Sequence, residues 1–329
     1  MRKFGKFMGR VILVLFALGL GAWTFAPETP VDREISFDAS ILPDGPATLQ
    51  PWLDTRELQF PDLRPDAAKR VVWAGSVGVK TPLAVVYLHG FSASSEEIRP
   101  VPDDVARGLG ANLFFTRLAG HGRSNEAMAG AAAGDWIEDL AEAMEIGRRL
   151  GDRVLVISTS TGATLAAIGA TDPALSDGMA GIVMVSPNFG VRAVAGKILD
   201  MPFAEVWGPM VAGATRSFTP QNDAHAKHWT TSYPTAALFP MAALVRHAVG
   251  LDYRGVALPA LVIYSQDDQV VSPAMTEQVM ANWGGPLQFE ERTMGPGDDP
   301  FSHVIAGRVL SPGQTAETVG LILAWAKGL

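Results

Sequence analysis

Val154-Leu-Val-Ile-Ser158-Thr159-Ser160-Thr161-Gly162, running on into Ala163-Thr-Leu-Ala-Ala-Ile-Gly-Ala170, is the stretch on which the fold turns. It reads as a short buried strand, a tight turn and a helix of small residues. A serine at the apex of such a turn is held in a strained backbone. Its neighbours two before and two after must be small so that strand and helix can approach. Ser158 and Gly162 occupy those places here, and the start of the helix favours negative charge developing beside Ser160. Ser160 is therefore a candidate nucleophile. Glycine is the usual residue where Ser158 stands, so the stretch taken alone is equally an ordinary Ser/Thr-rich helix cap.

The flanking sequence repeats the strand-then-helix pattern. Apolar runs at residues 70–74, 83–88, 112–116, 153–158, 181–186, 260–265 and 287–290 lack period-two alternation, as expected of strands buried on both faces. Between them lie helical segments. The clearest begins at Asp135, with Glu138 three residues on as in a capping box and Ile137, Leu140, Ala141 and Met144 on one face. The pattern predicts an α/β fold with a mostly parallel central sheet covered by helices on both faces. Residues 187–257 interrupt it with Phe203, Trp207, Phe218, Trp229, Tyr233, Phe239 and many prolines but no clean strand. They read as an inserted cap over one end of the sheet.

Three other strand ends carry reactive groups. Residues 83–88 run into His89-Gly90-Phe91-Ser92, a glycine turn whose Phe91 N–H, with that of Thr161, would form an oxyanion hole. His89 and Gly90 are read as structural parts of that turn. The run Leu261-Val-Ile-Tyr-Ser265 ends in Asp267 and Asp268, and Phe301-Ser302-His303 follows the last strand. The order Ser160, Asp268, His303 suits a sheet that presents a nucleophile, an orienting acid and a base at its carboxyl edge.

Taken together, His89-Gly90-Phe91, Arg117-Leu-Ala-Gly-His-Gly122, the Ser160 turn, Asp268 before Val270-Val271, and His303 resemble the α/β-hydrolase superfamily. The likeness is to its monoacylglycerol-lipase, carboxylesterase and serine-aminopeptidase branch, and it covers residues 70–329. The resemblance implies a serine hydrolase with a cap domain, and it selects Asp268 over Asp267 as the acid. It makes the Gly120-His121-Gly122 turn structural, with Arg117 where an Asp is common. The expected activity is cleavage of carboxylic esters, with a medium or long acyl ester or a lysolipid as substrate. A thioesterase or aminopeptidase-like amidase, and a tethered binding protein without catalysis, are the alternatives.

The chain has 329 residues, a net charge of −8 and no cysteine. That excludes a disulfide-built or Cys-ligated zinc domain and makes the acidic body a poor nucleic-acid binder. Residues 1–26 carry Arg2, Lys3, Lys6 and Arg10 ahead of sixteen uncharged, mostly apolar residues, Val11 to Ala26. As a helix that run is about 24 Å long, against roughly 30 Å of hydrocarbon. It reads as a signal-anchor that leaves the body on the extracytoplasmic side, or as a secretory signal cleaved after Ala26. Residues 27–68 form a Pro-rich spacer, and the hydrolase domain spans residues 69–329. Arg216, His225, His228 and Arg246 in the cap are candidates for binding a charged head group, and Glu205 is a single acid for a substrate amine. The spacing of His225 and His228 suits zinc but lacks a third ligand, so no metal or other cofactor is expected.

Overall fold

The structure, a computed structural model, describes residues 2–25, 29–192, 196, 198–199 and 201–329. Ala26 and Pro27, at the candidate cleavage point and the start of the spacer, lie outside the described residues. Helix α1 (Arg2–Thr24) stands clear of the body. Its segment Phe4–Gly21 is long and apolar enough to cross a membrane, and none of it is buried.

The body begins with α2 (Leu49–Glu57) and continues through β1 (Arg70–Val72), β2 (Thr81–Leu88), α3 (Val101–Leu109), β3 (Asn112–Phe115), α4 (Ala133–Leu150) and β4 (Gly151–Thr159). There follow α5 (Thr161–Thr171), the single turn α6 (Pro173–Ser176), β5 (Met179–Val185), α7 (Ala204–Ala212), β6 (Thr215–Ser217), α8 (Asp223–His228), β7 (Ser232–Pro234) and α9 (Leu238–Val249). The chain ends with β8 (Ala260–Tyr264), α10 (Pro273–Met280), β9 (Leu287–Glu291) and α11 (Thr315–Ala326). Among the described residues seven strands form one sheet in the order β1-β3-β2-β4-β5-β8-β9, parallel except for β1. These are the seven runs read from the sequence.

The missing alternation has its cause in the packing. Ala84, Val86 and Leu88 of β2 join a core built with Trp136 and Leu140 of α4 and Leu165 of α5. Val85 and Tyr87 point the other way, into a core shared with Val101 and Val105 of α3 and Ile322 of α11. Both faces are dry, so both sets of positions are apolar. The chain passes from β2 to β3 on one side and returns to β4 on the other, so the loops leaving β2 and β4 diverge. The carboxyl ends of β2 and β4 are therefore the topological switch point of the sheet, the place where α/β folds bind ligands.

Two local expectations change. Helix α4 starts at Ala133, and Asp135 is its third residue, reaching back to accept the Ala132 N–H at 2.8 Å. Glu138 instead accepts the Ser36 N–H at 2.6 Å. The interval 187–257 contains a two-stranded ribbon, β6 with β7, too short to show alternation in the sequence. In the same interval α9 packs on α5, with Met241, Leu244 and Ala248 in the main core.

Residues upstream of the sheet are built into the body. Leu42, Leu49 and Leu53 are buried in the α4-side core. The Arg117 guanidinium donates two bonds to Glu57, at 2.8 and 2.6 Å, and a third to the His121 carbonyl at 3.3 Å. It also lies over the Phe60 ring, 4.7 Å from its centre. This buried pair fastens α2 to the Gly120-His121-Gly122 turn. Removing one partner would leave an uncompensated buried charge, so Glu57→Ala is expected to lower unfolding stability by about 3 kcal/mol, read from the midpoint of denaturant unfolding.

Candidate active site

Ser160 lies between β4 and α5 with φ 51° and ψ −115°, a strained left-handed backbone for a residue with a side chain. Close packing imposes this. A Cβ on Gly162 would stand 2.3 Å from the Leu88 carbonyl oxygen and 2.7 Å from that of His89, so the helix can seat against β2 only with glycine there. On the other side Ser158 is fully buried, and its hydroxyl donates to the Val183 carbonyl on β5 at 2.9 Å. That bond satisfies the polar atom that a serine brings to a position usually held by glycine.

The Ser160 Oγ lies 3.2 Å from His303 Nε2, and His303 Nδ1 lies 2.8 Å from Asp268 Oδ2. The other Asp268 oxygen accepts the N–H groups of Val270 and Val271 at 2.7 and 2.9 Å. With that carboxylate beside Nδ1, the ring proton sits on Nδ1 and Nε2 is free to accept the serine proton. Burial disfavours a charged His303, but the Asp268 carboxylate and its hydrogen bond, with Glu97 and Asp299, outweigh it and hold the imidazole above its ordinary value. Asp267 is exposed. Ser160, Asp268 and His303 are only 6%, 1% and 8% exposed, so the site is nearly closed to solvent.

Beside Ser160 runs the loop leaving β2. A Cβ on Gly90 would be 3.1 Å from the Ser160 Cβ, so this loop touches the nucleophile turn. Among the described residues neither the Phe91 nor the Thr161 N–H has a hydrogen-bond acceptor, and Thr161 is in the first turn of α5, where N–H groups lack intrahelical partners. His89 Nε2 accepts the Leu118 N–H at 3.1 Å, which leaves Nδ1 to donate to the Gly90 carbonyl at 2.9 Å. Burial pushes its pKa down to about 4. Both of its nitrogens are thus occupied in joining the β2 and β3 loops.

The interval between β5 and β8 meets the loop leaving β2 at this edge. The Thr230 N–H donates to the Ser92 carbonyl at 2.7 Å, and the Tyr233 ring meets Phe91 edge-on at 5.3 Å. The four residues of this interval read as head-group candidates lie on three elements, with His225 and His228 together on α8. Arg216 is on the exposed β6, and His225 packs between Phe218 and Trp229. His228 is half-buried near Asp66, and Arg246 lines a separate cleft of about 750 Å³ with Phe189, Met241 and Met275. Glu205 is on α7. Among the described residues no group of three or more His, Asp or Glu is arranged to hold a metal ion.

Two acids at this site escape a sequence reading. Asp299 is buried and accepts the N–H groups of His303 and Val304 at 3.1 and 2.9 Å. Its other oxygen accepts the Gln221 side-chain amide at 2.9 Å. Glu97 lies beneath the Gly90 turn. Asp299 has a faint signal, an acid four residues before the base; Glu97 has none, since Ser94-Ser95-Glu96-Glu97 reads as a solvated loop.

The sequence matches the family model described as serine aminopeptidase, S33, over residues 80–289. No curated protein matches it. A metagenome-derived structure, from a study of the lipolytic enzymes LipS and LipT, is 22% identical with a TM-score of 0.66, covering 81% of this chain and all of that one. A monoacylglycerol lipase from Paleococcus ferrophilus is 15% identical with a TM-score of 0.58, covering 79% of this chain and 98% of that one. A monoglyceride lipase from Saccharomyces cerevisiae, solved with a substrate analogue, is 12% identical with a TM-score of 0.60, covering 79% and 90%.

The packing makes a sharp distinction between the two small residues of the turn. Gly162→Ala forces α5 away from β2 and is expected to lower any activity of Ser160 by at least about a hundredfold. Ser158→Ala keeps the turn and should cost only about 1 kcal/mol of stability. Paired kinetic and unfolding measurements check both.

Proposed function

The chain belongs to the serine aminopeptidase, S33, family, and from that premise and the site's geometry we propose that it is a serine hydrolase of carboxylic esters. The observation that carries the reading is the hydrogen-bonded line Ser160–His303–Asp268, set on a strained turn at the sheet's carboxyl edge.

His303 Nε2 takes the Ser160 proton as Oγ bonds to the ester carbonyl carbon. The negative charge that forms on the carbonyl oxygen is met by the N–H groups of Phe91 and Thr161, which have no competing acceptors among the described residues. Asp268 keeps the ring in the Nδ1–H tautomer and stabilises the imidazolium. The C–O bond to the alcohol then breaks, and the alcohol leaves with the proton from His303. Water, deprotonated by His303, attacks the acyl-enzyme; the acid departs and Ser160 regains its proton.

The substrate in this reading is a medium or long acyl ester, or a lysolipid. Aromatic groups at the edge of the site, Phe91 and Tyr233, favour an apolar acyl chain. The apolar helix α1 keeps the body beside a membrane, with the body on the extracytoplasmic side. Because Ser160 and His303 are so nearly buried, the cap segment 218–233 must lift from Ser92 and Phe91 to admit the ester.

Turnover of p-nitrophenyl esters of increasing chain length, beside a thioester and an aminoacyl arylamide, tests the reading. Longer esters should be cleaved fastest, and Ser160→Ala should abolish hydrolysis while the fold is kept; undiminished hydrolysis in that variant overturns it. The pH profile gives a second expectation. Only neutral His303 accepts the serine proton, and its pKa is raised above 6.5. Activity is therefore lost as pH falls through a value above 6.5, and kcat/KM should show an acid limb there.

A further inference from the structure

Glu97 is a buried carboxyl that the reaction above does not use. It is 2% exposed and, among the described residues, forms no ion pair. Its Oε2 accepts the Gly90 N–H at 2.7 Å and the Tyr87 hydroxyl at 3.1 Å. That hydroxyl lies 3.1 Å from the Thr159 Oγ1, on the residue immediately before Ser160. One carboxyl thus links the loop after β2 to the turn after β4. The other oxygen fills the place of the absent Gly90 side chain, 2.7 Å from where a Cβ would stand, with the Ser160 Cβ 3.1 Å away on its other side.

A buried acid without a cation is costly, and proteins avoid it unless packing or function requires it. An amide or hydroxyl would accept the Gly90 N–H at less cost. Burial, against the Gly90 N–H, the His303 charge and the Tyr87 bond, pushes the Glu97 carboxyl up to about 7. The groups that face it are Tyr87 from β2 and His303 from the loop before α11. Its neighbour Glu96 turns away to Arg70, Arg99 and Arg308. His303 in turn faces Asp268 and Asp299 as well as Glu97.

We propose that Glu97 is a positioning residue for acyl transfer: it anchors the start of the Gly90 turn, whose following peptide His89 holds, so that the Phe91 N–H is presented beside Ser160, and its charge supports the His303 imidazolium. The inference rests on the serine-hydrolase reading. Glu97 pins the peptide that enters Gly90, and His89 Nδ1 on the Gly90 carbonyl pins the one that leaves it, whose N–H belongs to Phe91, so the two bonds together hold the turn. The second effect acts where Glu97 is ionised, above about pH 7: its negative charge then stands in the same dry pocket as His303 when the ring becomes positive.

The two effects separate in two variants of the full chain, assayed with p-nitrophenyl butyrate across pH. Glu97→Gln keeps an acceptor for Gly90 but carries no charge. It should lower kcat with little change in KM and move the acid limb of kcat/KM to lower pH, because His303 loses a charge that favoured its protonated form. Glu97→Ala also frees the Gly90 N–H and should lower kcat further, by on the order of tenfold or more. A purely structural carboxyl would leave the acid limb where it is. Wild-type kcat and an unmoved acid limb in Glu97→Gln overturn the proposal, and that variant stands even where Glu97→Ala fails to fold. Ser160→Ala run alongside separates the two layers: if it retains hydrolysis, the nucleophile assignment fails and Glu97's role fails with it.

Discussion

The structure depends on one close contact, the seating of α5 against the end of β2 at Gly162. The absent side chain lets the helix approach the Leu88 and His89 carbonyls, and that approach forces the intervening turn into the positive-φ backbone found at Ser160. The same contact brings the loop after β2 against the turn after β4. Strain at Ser160, proximity of the Phe91 loop and direction of the α5 N-terminus are therefore consequences of a single packing contact. A residue with a Cβ at position 162 would lose all three together.

Around that contact the electrostatics are lopsided. His303 is surrounded by Asp268, Asp299 and Glu97, three buried acids with different tasks. Asp268 binds the ring, Asp299 binds the backbone of the His303 loop, and Glu97 binds the Gly90 loop beside Ser160. Each is satisfied by hydrogen bonds from N–H or hydroxyl groups, which is how buried carboxyls are made tolerable without cations. Cationic charge is spent elsewhere, on buried structural pairs such as Arg117 with Glu57. The loop after β5 is joined to the loop after β8, where Arg192 donates to the Asp268 carbonyl, and to the loop after β9, where the Ser186 hydroxyl donates to the His303 carbonyl at 2.6 Å.

Much of this was legible in the sequence because the decisive features are local. Doubly buried strands announce themselves as unbroken apolar runs, as β3, β5 and β8 do, whereas the edge strands β1 and β9, expected to be buried on both faces, are partly exposed. Ser160, Asp268 and His303 each follow a strand of the parallel part of the sheet, β4, β8 and β9, which brings all three to its carboxyl edge. What stayed hidden depends on distant partners. The fitness of Ser158 for a glycine position rests on a carbonyl of β5, and the capping partner of Ala132 shifts the α4 start by two residues from Asp135. Glu97 sits next to Glu96 in a polar run, and only the fold separates them, one to an arginine cluster and the other to the nucleophile turn. The four residues read as a head-group site fall on three elements, Arg216 on β6, His225 and His228 on α8 and Arg246 on α9, and burial disfavours a charge on both histidines.

The central claim is that Ser160 is activated by His303 in a site competent to stabilise an oxyanion. Treating the full-length protein in detergent with a fluorophosphonate, then locating the adduct by intact mass and peptide mapping, tests it most directly. The account predicts a single adduct on Ser160 that is lost in His303→Ala. A folded protein that takes no label, or takes it on another residue, would contradict it.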